Sequence, residues 1–224
     1  MKKHIVVLTG AGMSAESGLK TFRDSNGLWE GHDVMSVASP EGFRANPELV
    51  LDFYNQRRRQ LKEVEPNLAH KYLVELEKEY KVSIVTQNVD DLHERAGSSN
   101  VIHLHGELRK IESSGNPKNI KFWLEDIRLG DLCEDGYQWR PHVVWFGEPV
   151  PMMEIAAEIC ATADILLIIG TSMRVYPAAS LIHYSNSEIP VYYIDPNPAE
   201  VNLSNVIVIA EPATLGIKKL KALM

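Results

Sequence analysis

Short runs of β-favouring apolar residues recur along this chain, and the segments between them carry the spacing of amphipathic helices. The runs are Ile5–Thr9, Val82–Thr86, Val101–Leu104, Val143–Phe146, Ile165–Ile169, Val191–Ile194 and Val206–Ile209. Several are apolar throughout rather than alternating, as strands are when both of their faces are buried under helices. Helical patterns occupy Pro47–Val64, Asn67–Tyr80, Pro151–Thr162, Pro177–Ser185 and Thr214–Leu223. This alternation predicts an α/β fold, a Rossmann-like doubly wound parallel sheet with ligands at the carboxyl ends of its strands. Two stretches, about 31–65 and about 107–139, break the alternation. They are expected to form a small accessory lobe on a core made of about 1–30, 66–106 and 140–224, all within one domain spanning 1–224.

A chain of 224 residues, 45% hydrophobic and 24% charged, has apolar material enough for one such domain. Its net charge of −7 argues against non-specific nucleic-acid binding, which needs a basic surface. No run reaches the ~18 apolar residues of a membrane span. The start, Met1-Lys2-Lys3-His4-Ile5, is basic then apolar like a secretion signal, but the apolar run ends at Leu8 and is read as a first strand. A cytoplasmic protein, engaging neither nucleic acid nor membrane, is the expectation. Cys133 and Cys160 are the only cysteines, and they imply no disulfide framework.

The chemistry gathers where runs end. Ile5–Thr9 leads into Gly10-Ala11-Gly12-Met13-Ser14-Ala15-Glu16-Ser17-Gly18, a strand, a glycine turn and a helix start whose free N–H groups would face an anion. Val82–Thr86 leads into Gln87-Asn88-Val89-Asp90, and Val101 leads into His103-Leu104-His105-Gly106. Asparagine can both donate to and accept from ribose hydroxyls, and aspartate can accept from a carboxamide. Asn88 and Asp90 would equally serve to cap a helix starting near Asp91. His103 and His105 share one strand face, so spacing alone leaves open which is a base. His4, His32, His70, His93 and His183 read as surface or satisfied core residues.

With Thr21-Phe22-Arg23-Asp24, Arg140-Pro141-His142-Val143-Val144-Trp145-Phe146-Gly147-Glu148 and Gly170-Thr171-Ser172, these motifs in this order resemble the sirtuins, NAD-consuming protein-lysine deacylases. The resemblance runs from residue 5 to about residue 215. It implies NAD as a consumed co-substrate, acylated lysine side chains of proteins as substrate, and nicotinamide, free lysine and O-acyl-ADP-ribose as products. It makes His105, the histidine directly before glycine, the general base, and gives Gln87 and Asn88 to ribose and catalysis and Asp90 to nicotinamide. Gly10, Ala11, Gly12 and Ser14 would form the first nucleotide loop and Gly170, Thr171 and Ser172 the second. Phe22 would shield the reacting carbon, and Arg23 would face phosphates or ribose. Asp195, standing where the family usually has asparagine, would contact adenosine with Asn197 and Ala213. Val143, Val144, Trp145, Phe146 and Glu148 would form the substrate segment, pairing with the peptide as an added strand, while His142 fixes the loop.

Two features set this sequence apart. Sirtuins usually carry a zinc ribbon between the catalytic histidine and the Arg-Pro-His segment, whereas that interval here holds Cys133 alone and no histidine. Structural zinc needs four ligands, so no zinc is expected; Cys133 and Cys160 read as apolar fillers. The lobe should instead be packed through Ile120, Phe122, Trp123, Leu124, Ile127, Leu129, Tyr137 and Trp139. Tyr54 and Arg57 lie three apart on one helical face and could together hold a carboxylate, although the run Arg57-Arg58-Arg59 also reads as a solvated basic face. The Tyr-x-x-Arg pattern, with Ala38 lining a roomier pocket, resembles the sirtuins that remove succinyl and malonyl groups. An NAD-hydrolysing or mono-ADP-ribosylating enzyme on the same scaffold, and a non-catalytic NAD or ADP-ribose binding module, are the rival readings.

Overall fold

The computed structural model describes residues 2–20, 28–201 and 205–224. In chain order the strands are β1 (His4–Thr9), β2 (Leu28–Trp29), β3 (His32–Asp33), β4 (Lys81–Thr86), β5 (Val101–His103), β6 (Gly106–Ser113), β7 (Ile120–Phe122), β8 (Trp139–Val143), β9 (Ile165–Ile169), β10 (Val191–Ile194) and β11 (Val206–Ile209). The α-helices are α1 (Gly12–Ala15), α2 (Val34–Val37), α3 (Pro40–Ala45), α4 (Pro47–Leu61), α5 (Leu68–Leu76), α6 (Leu92–Ala96), α7 (Met153–Ala161) and α8 (Ala213–Leu220), and a 3₁₀ helix spans Ala178–Tyr184. Among the described residues no helix is long and apolar enough to cross a membrane.

Six strands pair in parallel in the order β5-β4-β1-β9-β10-β11. The chain winds outward from β1 through β4 to β5, then returns to β9 and winds the other way. The reversal falls between β1 and β9, where a doubly wound sheet opens a crevice for ligands. Successive residues of β1 serve opposite layers: Ile5 and Val7 pack with Leu73 of α5 and Ile217 of α8, Val6 and Leu8 with Ala156 and Cys160 of α7. That two-sided burial explains the unbroken apolar runs, each large side chain contributing about 1.5–3 kcal/mol. Cys160 is core, and burial pushes its thiol up to about 12.

The run Val143–Phe146 is not a strand of this sheet. β8 ends at Val143 and lies antiparallel to β6 in a separate three-stranded sheet, β7-β6-β8. Two local causes redirect the chain. Gly106 takes φ +78° and comes so close to β8 that a Cβ there would sit 2.2 Å from the His142 carbonyl oxygen. Beyond Val143, the Glu148 carboxylate accepts the Trp145 N–H at 2.8 Å and curls the segment into a turn.

The lobe is packed differently from the expectation. Ile127 and Trp139 are buried, with Cys133, Ile111 and Leu51, and Trp123 packs partly against them. Ile120, Phe122, Leu129 and Tyr137 are 41–62% exposed, because they lie on an outer strand and in loops with nothing over them. The Cys133 thiol donates to the Tyr137 carbonyl at 2.7 Å, and the interval offers no further cysteine or histidine. These residues do not fit a tetrahedral zinc.

A buried arginine ties the lobe's two segments together instead. Arg58 is 1% exposed. Its Nε donates to the Leu108 carbonyl at 3.0 Å, and Nη1 donates to Asn55 Oδ1 at 2.9 Å and to the Glu125 carbonyl at 3.2 Å. Asn55 in turn exchanges two bonds with the backbone of Ile127, 2.8 and 2.9 Å. Burial lowers the Arg58 pKa to about 10, so it remains a cation at neutral pH. The run of three arginines is therefore not one basic face: Arg59 is half exposed and pairs with Asp126. Arg58→Met, which leaves the buried Leu108 carbonyl without this partner and removes the bonds to Asn55 and Glu125, should lower unfolding free energy by about 2–4 kcal/mol in urea titration. Arg59→Met should cost under about 0.5 kcal/mol, and equal losses would refute the clamp.

Candidate active site

The end of β1 and the end of β9 touch through glycines. Gly10 N–H donates to the Ile169 carbonyl at 3.1 Å, Gly12 N–H to Gly170 at 2.8 Å, and Gly170 N–H to Ile194 at 2.8 Å. A Cβ on Gly12 would lie 2.7 Å from the Gly170 Cα, and one on Gly170, whose φ is +63°, would lie 2.1 Å from the Met13 nitrogen. Gln87 bridges both loops, donating from its backbone to Thr9 at 2.9 Å and from Nε2 to Thr171 Oγ1 at 3.1 Å. The expected row of free N–H groups at a helix start is largely absent. α1 is a single turn, and the N–H groups of Gly12, Met13 and Ser14 already bond to Gly170, Gly10 and Ala11 carbonyls.

Buried polar side chains line the crevice instead. Ser14, Asn88, Asp90, Thr171 and Asp195 are each at most 8% exposed. Ser14 Oγ donates to Asp90 Oδ2 at 2.9 Å, and Asn88 Nδ2 lies 3.1 Å from both the Gly10 carbonyl and Ser14 Oγ. Asp90 Oδ1 also accepts the Leu92 N–H at 3.1 Å at the start of α6, where the N-cap residue Asp91 makes no side-chain cap bond. Burial raises the Asp90 carboxyl above its ordinary range, against the lowering effect of these two bonds. Asp195 closes β10 and accepts the Asn197 N–H at 2.8 Å; Asn197 itself is exposed and Ala213 is buried at the start of α8. Ser172 is half-buried beside Thr171, and Ala11 starts α1. Phe22 and Arg23 lie outside the described residues. A residue that sequence reasoning passed over, Glu16, joins the glycine turn to α8 by accepting the Thr214 N–H at 2.8 Å and hydroxyl at 2.6 Å.

The two strand-end histidines differ in what their nitrogens meet. His103 Nδ1 lies 2.9 Å from the Asn88 carbonyl and Nε2 lies 2.7 Å from Glu94 Oε1. Both partners only accept, an arrangement that favours a donor at each nitrogen and so the doubly protonated ring. Burial alone would lower its pKa, but the Glu94 bond and charge raise it on balance. His105 Nδ1 lies 3.1 Å from the Gln87 carbonyl, another pure acceptor. The proton therefore sits on Nδ1, and Nε2 carries the lone pair. Burial lowers the His105 pKa, partly offset by the Gln87 bond. Of the remaining histidines, His4 bonds to Ser83 and Thr162, while His70 and His93 are fully buried with rings 4.9 Å apart and pKa values depressed by burial, that of His70 to about 4.

The segment after β8 hangs between this site and the lobe. Val144 N–H donates to the His105 carbonyl and Phe146 N–H to the Ala38 carbonyl, both at 2.9 Å. With Trp145 N–H on Glu148, an added peptide strand would meet the carbonyls of this segment rather than these amides. Val143 and Trp145 are buried, Val144 is half-buried, and Phe146 is 41% exposed. Glu148 is not free for a peptide: Arg140 grips its two oxygens at 2.6 and 3.0 Å. Arg140, quoted in the motif without a role, also stacks on Trp145 at 3.5 Å and donates to the Val143 carbonyl. His142 Nδ1 pairs with Glu112 between the neighbouring strands β8 and β6.

Tyr54 and Trp145 share a wall with Ala38, Val37 and Phe53. Tyr54 is 1% exposed, and its oxygen accepts the Trp145 Nε1–H at 3.0 Å, leaving its own proton to donate. Burial raises the phenol's pKa, so that proton stays. Arg57 lies over the Phe53 ring at 3.7 Å, with Nη1 donating to the Phe53 carbonyl at 2.8 Å. Burial lowers its pKa, and Glu30 opposes the shift.

The model of the Sir2 family matches residues 10–177. Proteins named NAD-dependent protein deacylase are similar over nearly the whole chain. One from Helicobacter pylori is 57% identical over 219 residues, covering 97% of this chain and 96% of its own. One from Bacteroides thetaiotaomicron is 52% identical over 229 residues, covering 99% and 98%. The solved structure of a Sir2 homologue–NAD complex has a TM-score of 0.86 at 37% identity, covering all of this chain and 91% of that one. A Sir2 variant holding a deacetylated peptide and 3′-O-acetyl-ADP-ribose has a TM-score of 0.83 at 26% identity, covering 99% and 94%.

The two histidines should separate in an NMR titration of the imidazole nitrogens. His105 should lose its Nε2 lone pair only below the ordinary value of about 6.5, and His103 should hold both protons above it. Titration in the opposite order would refute the assigned tautomers.

Proposed function

The chain belongs to the Sir2 family, and on that premise we propose that it is an NAD-dependent protein-lysine deacylase with His105 as its general base. The observation that carries this reading is the His105 Nε2 lone pair, held by the Nδ1 bond to Gln87, the residue that also bridges both glycine loops. The buried set suits a dinucleotide, since it offers an amide that donates and accepts and carboxylates that accept. NAD, when bound, supplies a ribose carbon that gives up nicotinamide to an acyl-lysine oxygen. Gly10, Ala11, Gly12, Ser14, Gly170, Thr171 and Ser172 would hold its phosphates and riboses, Asp90 its carboxamide, and Asp195, Asn197 and Ala213 its adenosine. Gln87 and Asn88 orient ribose hydroxyls, and His105 Nε2 takes a hydroxyl proton as the acyl group moves to the ribose. His103 has both ring nitrogens engaged, Nδ1 on the Asn88 carbonyl and Nε2 on Glu94, and serves to position Asn88. Nicotinamide leaves as the acyl oxygen takes its place on the ribose carbon, and one water then releases free lysine, the water oxygen ending in the O-acyl-ADP-ribose.

The acyl group would lie along Ala38, Tyr54 and Trp145. A succinyl or malonyl chain ends in a carboxylate, which the Tyr54 hydroxyl and the Arg57 fork suit by charge-assisted bonding. We therefore read acidic acyl groups as substrates alongside acetyl. Val144 and Phe146 would meet the peptide backbone through their carbonyls, while Val143, whose carbonyl is held by Arg140, would support them from beneath.

Nicotinamide release tests the deacylase reading directly. It should require an acyl-lysine peptide; equal release without peptide would make the protein an NAD hydrolase, and none a binder. His105→Ala should lower turnover by about 10²-fold or more while NAD still binds, measured by calorimetry. Near-normal turnover in that variant would remove His105 from the chemistry.

Arg57→Met should reduce kcat/KM for a succinyl-lysine peptide by roughly 10- to 150-fold, the loss of one charge-assisted bond. The acetyl version of the same peptide should change by less than about threefold. Equal losses on both would make Arg57 a structural residue.

A further inference from the structure

A carboxylate of the chain's own already stands at Arg57. Glu30 Oε2 lies 3.7 Å from Arg57 Nη2, and the two side chains are only 15% and 13% exposed. Among the described residues Glu30 also pairs with the Lys20 ammonium at 3.0 Å, on a side chain that is 65% exposed. Arg57 Nε is buried and has no hydrogen-bond partner among the described residues, so the guanidinium keeps capacity for a further acceptor.

The backbone places Glu30 there against its own preference. Glu30 and Gly31 form the two-residue turn between β2 and β3, with φ of +50° and +83°. Left-handed geometry at both positions favours Asn, Asp or Gly at the first, and a glutamate there is an uncommon choice. Strain of this kind persists where the surroundings over-determine it. Here the hairpin is seated on the pocket wall: Trp29 packs edge-on against Phe53 at 4.8 Å and Tyr54 at 6.1 Å, and His32 against Phe53 at 5.7 Å.

We infer that Glu30 is a built-in competitor for Arg57, a specificity-determining residue that neutralises the pocket's cation for neutral acyl groups and opposes the entry of acidic ones. The inference rests on the reading of Arg57 as the partner of an acyl carboxylate. A succinyl carboxylate reaching Arg57 must share it with Glu30 at close range, and two carboxylates on one guanidinium repel. An acetyl group leaves the Glu30–Arg57 pair as it stands. One pocket can thereby serve both classes, at the expense of efficiency on the acidic one.

The test replaces the carboxylate in two ways. Glu30→Gln keeps the length and the backbone strain; Glu30→Asn suits the turn and guards against a variant that fails merely by misfolding. Both should raise kcat/KM for the succinyl-lysine peptide about three- to tenfold, chiefly through KM, and change the acetyl value by less than about twofold. Combined with Arg57→Met, neither should give any selective gain. A selective fall on succinyl-lysine would make Glu30 an orienting partner of Arg57 and overturn the inference, as would no selective change. If Arg57→Met itself lowers both substrates equally, the acyl-carboxylate reading fails and the inference falls with it. If Arg57→Met is selective but Glu30→Asn is not, only the role of Glu30 is refuted.

Discussion

The contact between Gly12 and Gly170 governs the rest of the site. β1 and β9 are adjacent strands on either side of the reversal in winding, so the turns leaving them leave the sheet at the same place. They can occupy it together only because neither carries a side chain at the contact, where a Cβ would lie 2.7 Å or less from the opposite backbone. The glycines thus pack one loop on another. Once the loops are joined, Gln87 from the neighbouring β4 can reach across both, and its carbonyl is where His105 from the next strand anchors Nδ1. The arrangement of the proposed base is a consequence of strand order.

The same strand geometry separates two histidines that the sequence presents as equivalents. One lies between two pure acceptors, which raise its pKa; the other has a single acceptor and keeps a basic nitrogen. Their difference comes from Glu94, nine residues before His103 on α6, and from the carbonyl of Gln87, neither of which is marked by the His-Leu-His-Gly motif. Spacing could not have chosen. The resemblance to a known family could, and the hydrogen bonds supply a physical reason for the same choice.

What was legible followed from burial on both faces. Residues 5–8 and Ile165–Ile169 have no polar residue to misplace, and all of their side chains are buried. Val143–Phe146 has the same composition but was misassigned, because composition does not tell which sheet a strand joins; Gly106 and Glu148 decide that through contacts distant in sequence. The lobe was the least legible part. Its apolar residues were read as a core, yet Phe122 and Tyr137 are more than half exposed, while the most basic run hides the fully buried Arg58. A helix turns about 100° per residue, so Arg57, Arg58 and Arg59 must point three ways. Nothing in the run itself says which of them turns inward.

That inward arginine connects the lobe to the chemistry. Its Nε holds the Leu108 carbonyl, and the Leu108 N–H in turn donates at 2.7 Å to the carbonyl of Val89, the residue between Asn88 and Asp90. Through β6 the same segment begins at Gly106, directly after His105, whose carbonyl receives Val144. A lobe without a zinc knot has no metal to fix the distance between its two segments, and a loose lobe would let both Val89 and Val144 drift. Arg58, dry and hydrogen-bonded three times to groups from the same helix, β6 and the loop beyond, replaces that rigidity with a cation that has nowhere else to go. Its burial is unfavourable in isolation, but three hydrogen bonds, one of them to the buried Leu108 carbonyl, offset part of that cost. The lobe is therefore anchored at the point where it meets the residues proposed to hold the nucleotide, and its outer apolar surface is left free of any structural duty.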